Sequence, residues 1–408
     1  MIRDMTSEER YIRKRLRRAR KEAKSFYDCR KYPINRHKIV FMNIEGTVGY
    51  GCNPKYICEE MRRRNAMRRE NNEKPYDLVW LVDDISLPFP DDVRVVRNTL
   101  KNRAYELSTA AVWVDNSRKQ LEVRKRSGQF YLQTWHGMIG VKPTGLDRGS
   151  SFSRIAYIVS KHDSDMIDIM LSNSDFRDAR LSRGMLYDGS VLKIGSPRND
   201  GLVRRDPDAC MAVRRKYGLR PEDHIMMYAP TFRGGSQTMQ RTIAKDLHVP
   251  DFGRVLSHMQ KRFGGEWYMF LRLHPQLTAR HIGWNISGSH LIDVSQEPDM
   301  YELLAACDAF LSDYSASVFD AAVMNIPIFL YVDDYDDYIR ERGNLLIDFN
   351  ELPFPFAKND DALASCILDF DEEKYHEGLA EMMKTFGVIE HGDASKKAVD
   401  EILSHMSE

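Results

Sequence analysis

The sequence predicts an α/β protein made of two Rossmann-like domains with a cleft between them, and three observations carry that expectation. Short β-branched and aromatic runs alternate with helical patterns along all 408 residues, as they do in parallel sheets. A turn-rich seam, Gly195-Ser196-Pro197-Arg198-Asn199-Asp200, separates two such series. One apolar run in each half leads into a histidine, giving Gln133-Thr134-Trp135-His136-Gly137 and Leu271-Arg272-Leu273-His274-Pro275. These fall at the carboxyl ends of predicted strands, where open α/β sheets bind ligands.

Residues 1–34 read as a basic amphipathic helix. Thr6-Ser7-Glu8-Glu9 has capping-box spacing, and Ile12, Leu16, Ala19, Ala23 and Phe26 form one apolar stripe among nine Lys and Arg residues between Arg10 and Lys24. Such a helix suits an anionic membrane surface, and its stripe fits equally well against the protein itself. The first domain, 35–205, has predicted strands at Lys38–Ile44, Leu78–Val82, Ala111–Val114, Gln129–Thr134, Ile169–Ser172 and Val191–Ile194. The second, 206–390, has them at Ile225–Tyr228, Trp267–Leu273, Leu291–Val294, Ala309–Leu311 and Pro327–Tyr331. Residues 391–408 form a last helix able to cross back to the first domain. Facing Rossmann-like domains are the GT-B architecture of many nucleotide-sugar transferases.

Composition excludes several classes. No apolar run is long enough to span a bilayer, and the basic N-terminus lacks a following hydrophobic segment, so a cytoplasmic protein, peripheral on the inner face of the cell membrane, is expected. The six cysteines show no CxxC pair and no Cys/His cluster, which argues against structural zinc and a disulfide framework. The formal net charge of zero conceals a division. Residues 1–200 carry 39 Lys and Arg against 26 Asp and Glu, and residues 201–408 carry 21 against 34. The first half is therefore suited to an anionic partner; nucleic acid is not expected, because no nucleic-acid motif accompanies the charge.

Four stretches carry chemistry. His136 ends a strand beside a glycine that lets backbone turn or approach a ligand, and imidazole suits proton transfer near neutral pH, although a histidine there can also be a structural cap. Arg272 and His274 lie two apart on a strand, so both point to one side, and they suit a phosphate. Asp313-Tyr314-Ser315-Ala316-Ser317 joins a strand to a helix, a place for an anion at the helix start with Ser315 or Ser317 adding a hydroxyl, or for simple capping. Thr231 and Arg233 follow the first strand of the second half.

Together these stretches resemble the CDP-glycerol glycerophosphotransferase family of teichoic-acid primases and polymerases. The resemblance runs from about Lys38 to Pro353 and includes Asn53-Pro54-Lys55, Gln133 to Gly137, Ile194 to Asp200, Tyr228 to Arg233, Arg272 to Pro275, Asp313-Tyr314-Ser315 with Phe319-Asp320, and Tyr331–Tyr338 before Arg342-Gly343. It differs from the family pattern at Met138, at Ala316 and in the length of the loop Ile139–Asp147, changes that bear on the acceptor and the polyol more than on the reaction class. The resemblance implies a GT-B fold, a CDP-activated polyol phosphate donor and a membrane-associated, lipid-linked or polymeric acceptor rich in phosphate. His136 and His274 are then expected to be catalytic, His136 as the base, with Arg233, Arg272, His274, Asp313, Ser315 and Ser317 at the donor and no metal or other cofactor required. A nucleotide-sugar glycosyltransferase and a non-catalytic scaffold of envelope assembly are the alternatives.

Overall fold

Ile39-Val40-Phe41-Met42 has no polar member, which suits a strand covered on both faces. In the computed structural model this run ends β1 (Asn35–Met42), an interior strand of a seven-stranded parallel sheet. The structure describes residues 6–137, 139–231, 249–273, 289–342 and 345–406. They divide into two units: the first holds Met1–Met138, Thr144–Asp200 and Ile389–Glu408, and the second holds Ile139–Pro143 and Gly201–Val388.

In the first unit β2 (Asp77–Val82), β3 (Arg94–Arg97), β4 (Ala110–Asp115), β5 (Phe130–Gln133), β6 (Ile169–Ser172) and β7 (Ser190–Lys193) join β1 in the order β3-β2-β1-β4-β5-β6-β7. Alternate residues of β1 feed two cores. Ile39 and Phe41 pack with Ile57 and Met61 of the helix Cys52–Glu70 and with Ala398, Val399 and Ile402 of the C-terminal helix Ala394–Met406. Val40 and Met42 pack on the other face with Ala104, Leu107, Trp113 and Phe26.

The second unit has a six-stranded parallel sheet of β8 (His224–Tyr228), β9 (Trp267–Leu271), β10 (Leu291–Asp293), β11 (Ala309–Ser312), β12 (Ile328–Tyr331) and β13 (Phe356–Ala357). Its order is β10-β9-β8-β11-β12-β13. Both sheets thus reverse direction of growth once, between β1 and β4 and between β8 and β11, and both units are Rossmann-like. Two such units in one chain are the make-up of the GT-B class.

Two strands have no counterpart in the sequence reading. β3 is an edge strand whose valines are flanked by exposed arginines, and β13 has only two residues, so neither shows a recognisable apolar run. The predicted strand Trp267–Leu273 stops at Leu271, because beyond it Leu273 N–H turns to the Ser295 hydroxyl, 2.9 Å away.

The N-terminal helix Ser7–Glu22 forms with its capping box in place: Glu9 N–H donates to Thr6 Oγ1 at 3.2 Å, and Thr6 N–H donates to Glu9 Oε2 at 2.8 Å. Its stripe is turned inward. Ile12, Ala19, Ala23 and Phe26 are buried, so the apolar face read as able to meet a membrane is spent on the protein's own core. The nine basic residues from Arg10 to Lys24 all remain exposed. No described helix is long and apolar enough to cross a membrane.

Phe26 is 1% exposed within the first unit's core. Phe26→Ala is expected to destabilise that unit by about 3–5 kcal/mol in chemical denaturation; a loss below about 1 kcal/mol would mean that the N-terminal segment is not part of the core.

Candidate functional site

The first unit's site is built where β5 ends. Gln133 is fully buried, and its amide donates to Tyr131 Oη at 2.8 Å and to Ser117 O at 3.0 Å while its oxygen accepts from Trp135 N–H at 2.9 Å. Thr134 N–H makes the last bond to the sheet, at Asp115 O, 2.8 Å away. Trp135 then turns into the left-handed region at φ 53°, a conformation that costs a bulky residue of the order of 1–3 kcal/mol and persists only where neighbours enforce it.

The neighbours are specific. Asn53 Nδ2 donates to Trp135 O at 2.9 Å, Arg198 Nη1 to His136 O at 2.6 Å, and Arg177 Nη1 to Gly137 O at 3.4 Å. Asn53 Oδ1 also accepts from Arg198 N–H at 3.1 Å, which ties two of these clamps together. Three successive carbonyls are therefore held from outside the strand. Of these residues, Arg177 was not legible as a site residue, and Asn53 and Arg198 appeared only inside longer stretches of family resemblance.

One hydrogen bond sets the chemistry. His136 Nδ1 lies 2.6 Å from Asn116 O. A carbonyl oxygen can only accept, so the proton sits on Nδ1 and the neutral ring presents Nε2 as a lone pair, the form a general base needs. Asn116 is fixed in turn: its side-chain oxygen accepts from Ile44 N–H at 2.8 Å, its amide donates to Asn43 Oδ1 at 2.7 Å, and its own N–H donates to Asp115 Oδ1 at 2.7 Å. Asp115 is buried and paired with the equally buried Lys119. The His136 ring stacks on Trp135, centroids 4.5 Å apart.

Crowding by protein lowers the His136 pKa below its ordinary 6.5; the Asn116 carbonyl opposes this, and the charges of Arg198, Arg118 and Arg177 add to it. The ring is nonetheless exposed to solvent on one side, which moderates the shift without reversing it.

The second unit gathers its candidates where β8 and β11 end. Both Asp313 carboxylate oxygens accept from Thr231 N–H at 2.9 Å, and Lys142 Nζ donates to Thr231 Oγ1 at 3.2 Å. Ser315 Oγ lies 2.8 Å from Ser317 Oγ and accepts from Ser317 N–H at 3.3 Å. Ala316 stands at the N-cap of the short helix Ser317–Ala322, which has no side-chain cap. Two of the three departures from the family pattern meet here, since a Cβ on Gly140 of the loop would lie 3.6 Å from that of Ala316.

Arg272 is largely committed to structure. Its Nη1 donates to Val294 O at 2.8 Å, Ser295 O at 3.0 Å and Glu297 O at 2.5 Å, pinning the segment after β10. The remaining guanidinium nitrogens have no hydrogen bond or ion pair among the described residues. The structure thus brings Thr231, Asp313, Ser315 and Ser317 to one sheet edge. His274 and Arg233 lie outside the described residues.

The described geometry predicts that in a nuclear magnetic resonance titration His136 shows the Nδ1–H tautomer and a midpoint below 6.5. A midpoint above 6.5 would contradict it.

Comparison with known proteins agrees with the two-unit architecture. Residues 25–404 match the family model of CDP-glycerol:poly(glycerophosphate) glycerophosphotransferase. A teichoic acid poly(glycerol phosphate) polymerase of Bacillus spizizenii is 27% identical over 385 residues, 91% of this chain and 93% of its own. Another, of Bacillus subtilis, is 25% identical over 92% of this chain, which spans only 50% of that relative's length. A solved structure of the wall teichoic acid polymerase TagF, a histidine-to-asparagine variant soaked with CDPG, superposes with a TM-score of 0.79 at 26% identity over 96% of this chain and 95% of its own.

Proposed function

The chain belongs to the CDP-glycerol:poly(glycerophosphate) glycerophosphotransferase family, and we propose that it transfers glycerol phosphate from CDP-glycerol to a terminal hydroxyl of a teichoic-acid-type acceptor, releasing CMP. The observation that carries this reading is the Nδ1 hydrogen bond of His136 to Asn116 O, which leaves Nε2 free of its proton at neutral pH. The acceptor oxygen attacks the glycerol-bearing phosphorus as Nε2 takes the hydroxyl proton. The bond from that phosphorus to the bridging oxygen breaks, and CMP leaves with the electron pair. His136 then returns the proton to solvent.

Donor binding is assigned to the second unit. Ser315 and Ser317 offer hydroxyls, Asp313 fixes the Thr231 backbone beside them, and Arg233, Arg272 and His274 supply cationic or neutral donors for the pyrophosphate. The step relies on these groups and assigns no role to a metal.

The acceptor is membrane-associated in this reading, and the N-terminal helix brings the enzyme to it by charge. With its apolar stripe buried, the helix has no face left to insert, so attraction rests on the exposed basic residues, each worth about 1 kcal/mol near an anionic leaflet. Sedimentation with phosphatidylglycerol vesicles is expected to fall sharply in about 0.5 M salt, and equally when Arg13, Arg17 and Arg20 are changed to Glu. Binding that survives both would disprove charge-driven docking.

His136→Ala is expected to lower CMP release in the presence of a lipid-linked acceptor by at least about 100-fold. Undiminished release would remove His136 from the mechanism. For the wild type, the acid limb of the rate should lie below pH 6.5, since a base of lowered pKa is lost to protonation only at lower pH.

A further inference from the structure

Arg118 follows β4 by three residues, just beyond the Asn116 carbonyl that holds His136. Its guanidinium carbon lies 4.7 Å above the centre of the Trp135 ring, whose ring in turn stacks on His136. Among the described residues its one hydrogen-bond partner is Met185 Sδ, 3.8 Å from Nη2, and it makes no ion pair. A half-buried arginine usually finds a carboxylate or a set of carbonyls. Arg177 and Arg198, which hold the Gly137 and His136 carbonyls, have theirs.

A second arginine lies within reach. Arg148 belongs to the turn Gly145–Ser151, which docks on the segment Leu181–Met185 that also supplies Met185. The docking is tight: Gly145 sits at φ 52°, where a Cβ would come within 2.3 Å of Arg183 O, and Arg183 Nε pairs with Asp147 Oδ1 at 2.6 Å. The half-buried Arg148 side chain makes no ion pair or hydrogen bond among the described residues. Burial lowers the Arg118 pKa; the Asp163 charge opposes this, and the Arg148 charge adds to it.

Asp163 and Glu45 attract Arg118, Asp163 more strongly than Arg148 repels it, yet neither forms an ion pair with Arg118 among the described residues, and the Arg118 pKa stays lowered. The buried Asp163 carboxyl already accepts from Lys119 N–H at 2.9 Å and from Tyr131 Oη at 3.1 Å, and burial pushes its pKa up to about 7. Glu45 is open to solvent on one side; the protein crowding its other side raises its pKa, Asp115 adds to this and Arg118 opposes it. A half-buried Arg118 guanidinium with no carboxylate bonded to it, and the charge of a second arginine acting on it, is favoured by a bound anion.

We propose that Arg118 and Arg148 form a subsite that holds a phosphate of the acceptor chain beside His136. The planar guanidinium fork suits a phosphodiester or phosphomonoester oxygen pair, and Trp135 fixes the distance between that phosphate and the base. The subsite rests on the reading of His136 as the acceptor-side base. It selects acceptors that already carry a polyol phosphate near the attacking hydroxyl.

The test uses the full chain, CDP-glycerol and an acceptor ending in glycerol phosphate. Arg118→Gln and Arg148→Gln should each raise KM for the acceptor about tenfold or more and leave KM for CDP-glycerol within about twofold, with Arg118→Lys intermediate because it keeps charge and loses the fork. An unchanged acceptor KM, or a rise confined to CDP-glycerol, would overturn the proposal. Inorganic phosphate supplies an independent readout: it should raise the unfolding temperature of the wild type and not of Arg118→Gln. An equal rise in both would also overturn it. If the wild type released no CMP while phosphate protection still depended on Arg118, the transfer reading would fail and the anion subsite would stand. Without phosphate, Arg118→Gln should be no less stable than the wild type, since it removes an unpaired charge, and a large loss would mark Arg118 as structural.

Discussion

The candidate site of each unit depends on what happens to backbone groups where a parallel sheet reverses its order of growth. At that point neighbouring strands part, their terminal N–H groups lose sheet partners, and side chains must take over. In the first unit Asn116 does so, accepting from Ile44 N–H with its side chain and from His136 with its carbonyl. In the second unit Asp313 does so, accepting from Thr231 N–H with both oxygens. The same topological gap is closed by one polar residue in each unit, each just past the end of the strand that follows the reversal. The requirement to satisfy backbone donors is thus what brings chemically useful side chains to the edge.

The first unit invests heavily in holding this arrangement. Trp135 adopts a left-handed conformation, and Ile44 and Glu45 do so in succession at φ 43° and 58°. Behind them the buried Asp115–Lys119 pair carries a desolvation cost that ion pairing alone seldom recovers. Here the pair has a second use, because Asp115 also accepts from the N–H groups of Asn116 and Ser117. Strain and buried charge are therefore concentrated on the residues that orient His136, while the flanking strands β1, β4 and β5 are apolar and regular.

The legible part of the sequence was the part written in local pattern. Two parallel sheets, the histidine at the end of β5 and the hydroxyl-rich turn after β11 follow from apolar runs that stop on a particular residue. The clamp on His136 does not: Asn53, Arg177 and Arg198 act across 82, 40 and 62 residues of chain, and all three acceptors they meet are carbonyls that every residue possesses. Arg118 and Arg148 were invisible for a related reason. Nothing in their spacing separates an unpaired arginine from the many paired ones. The N-terminal stripe shows the reverse case, a pattern read correctly as amphipathic but whose occupant, the protein's own core, lay in tertiary structure.

The helix Ala394–Met406 places Ala398, Val399 and Ile402 in the same core as Ile39 and Phe41. During synthesis the whole of the second unit, residues 201 to 388, leaves the ribosome before this helix exists. The first unit therefore cannot complete its core in the usual order of one domain after another. Until that helix arrives, Ile39 and Phe41 have only the helix Cys52–Glu70 over their face of the sheet, so the first unit's core is finished only after the second unit has been made.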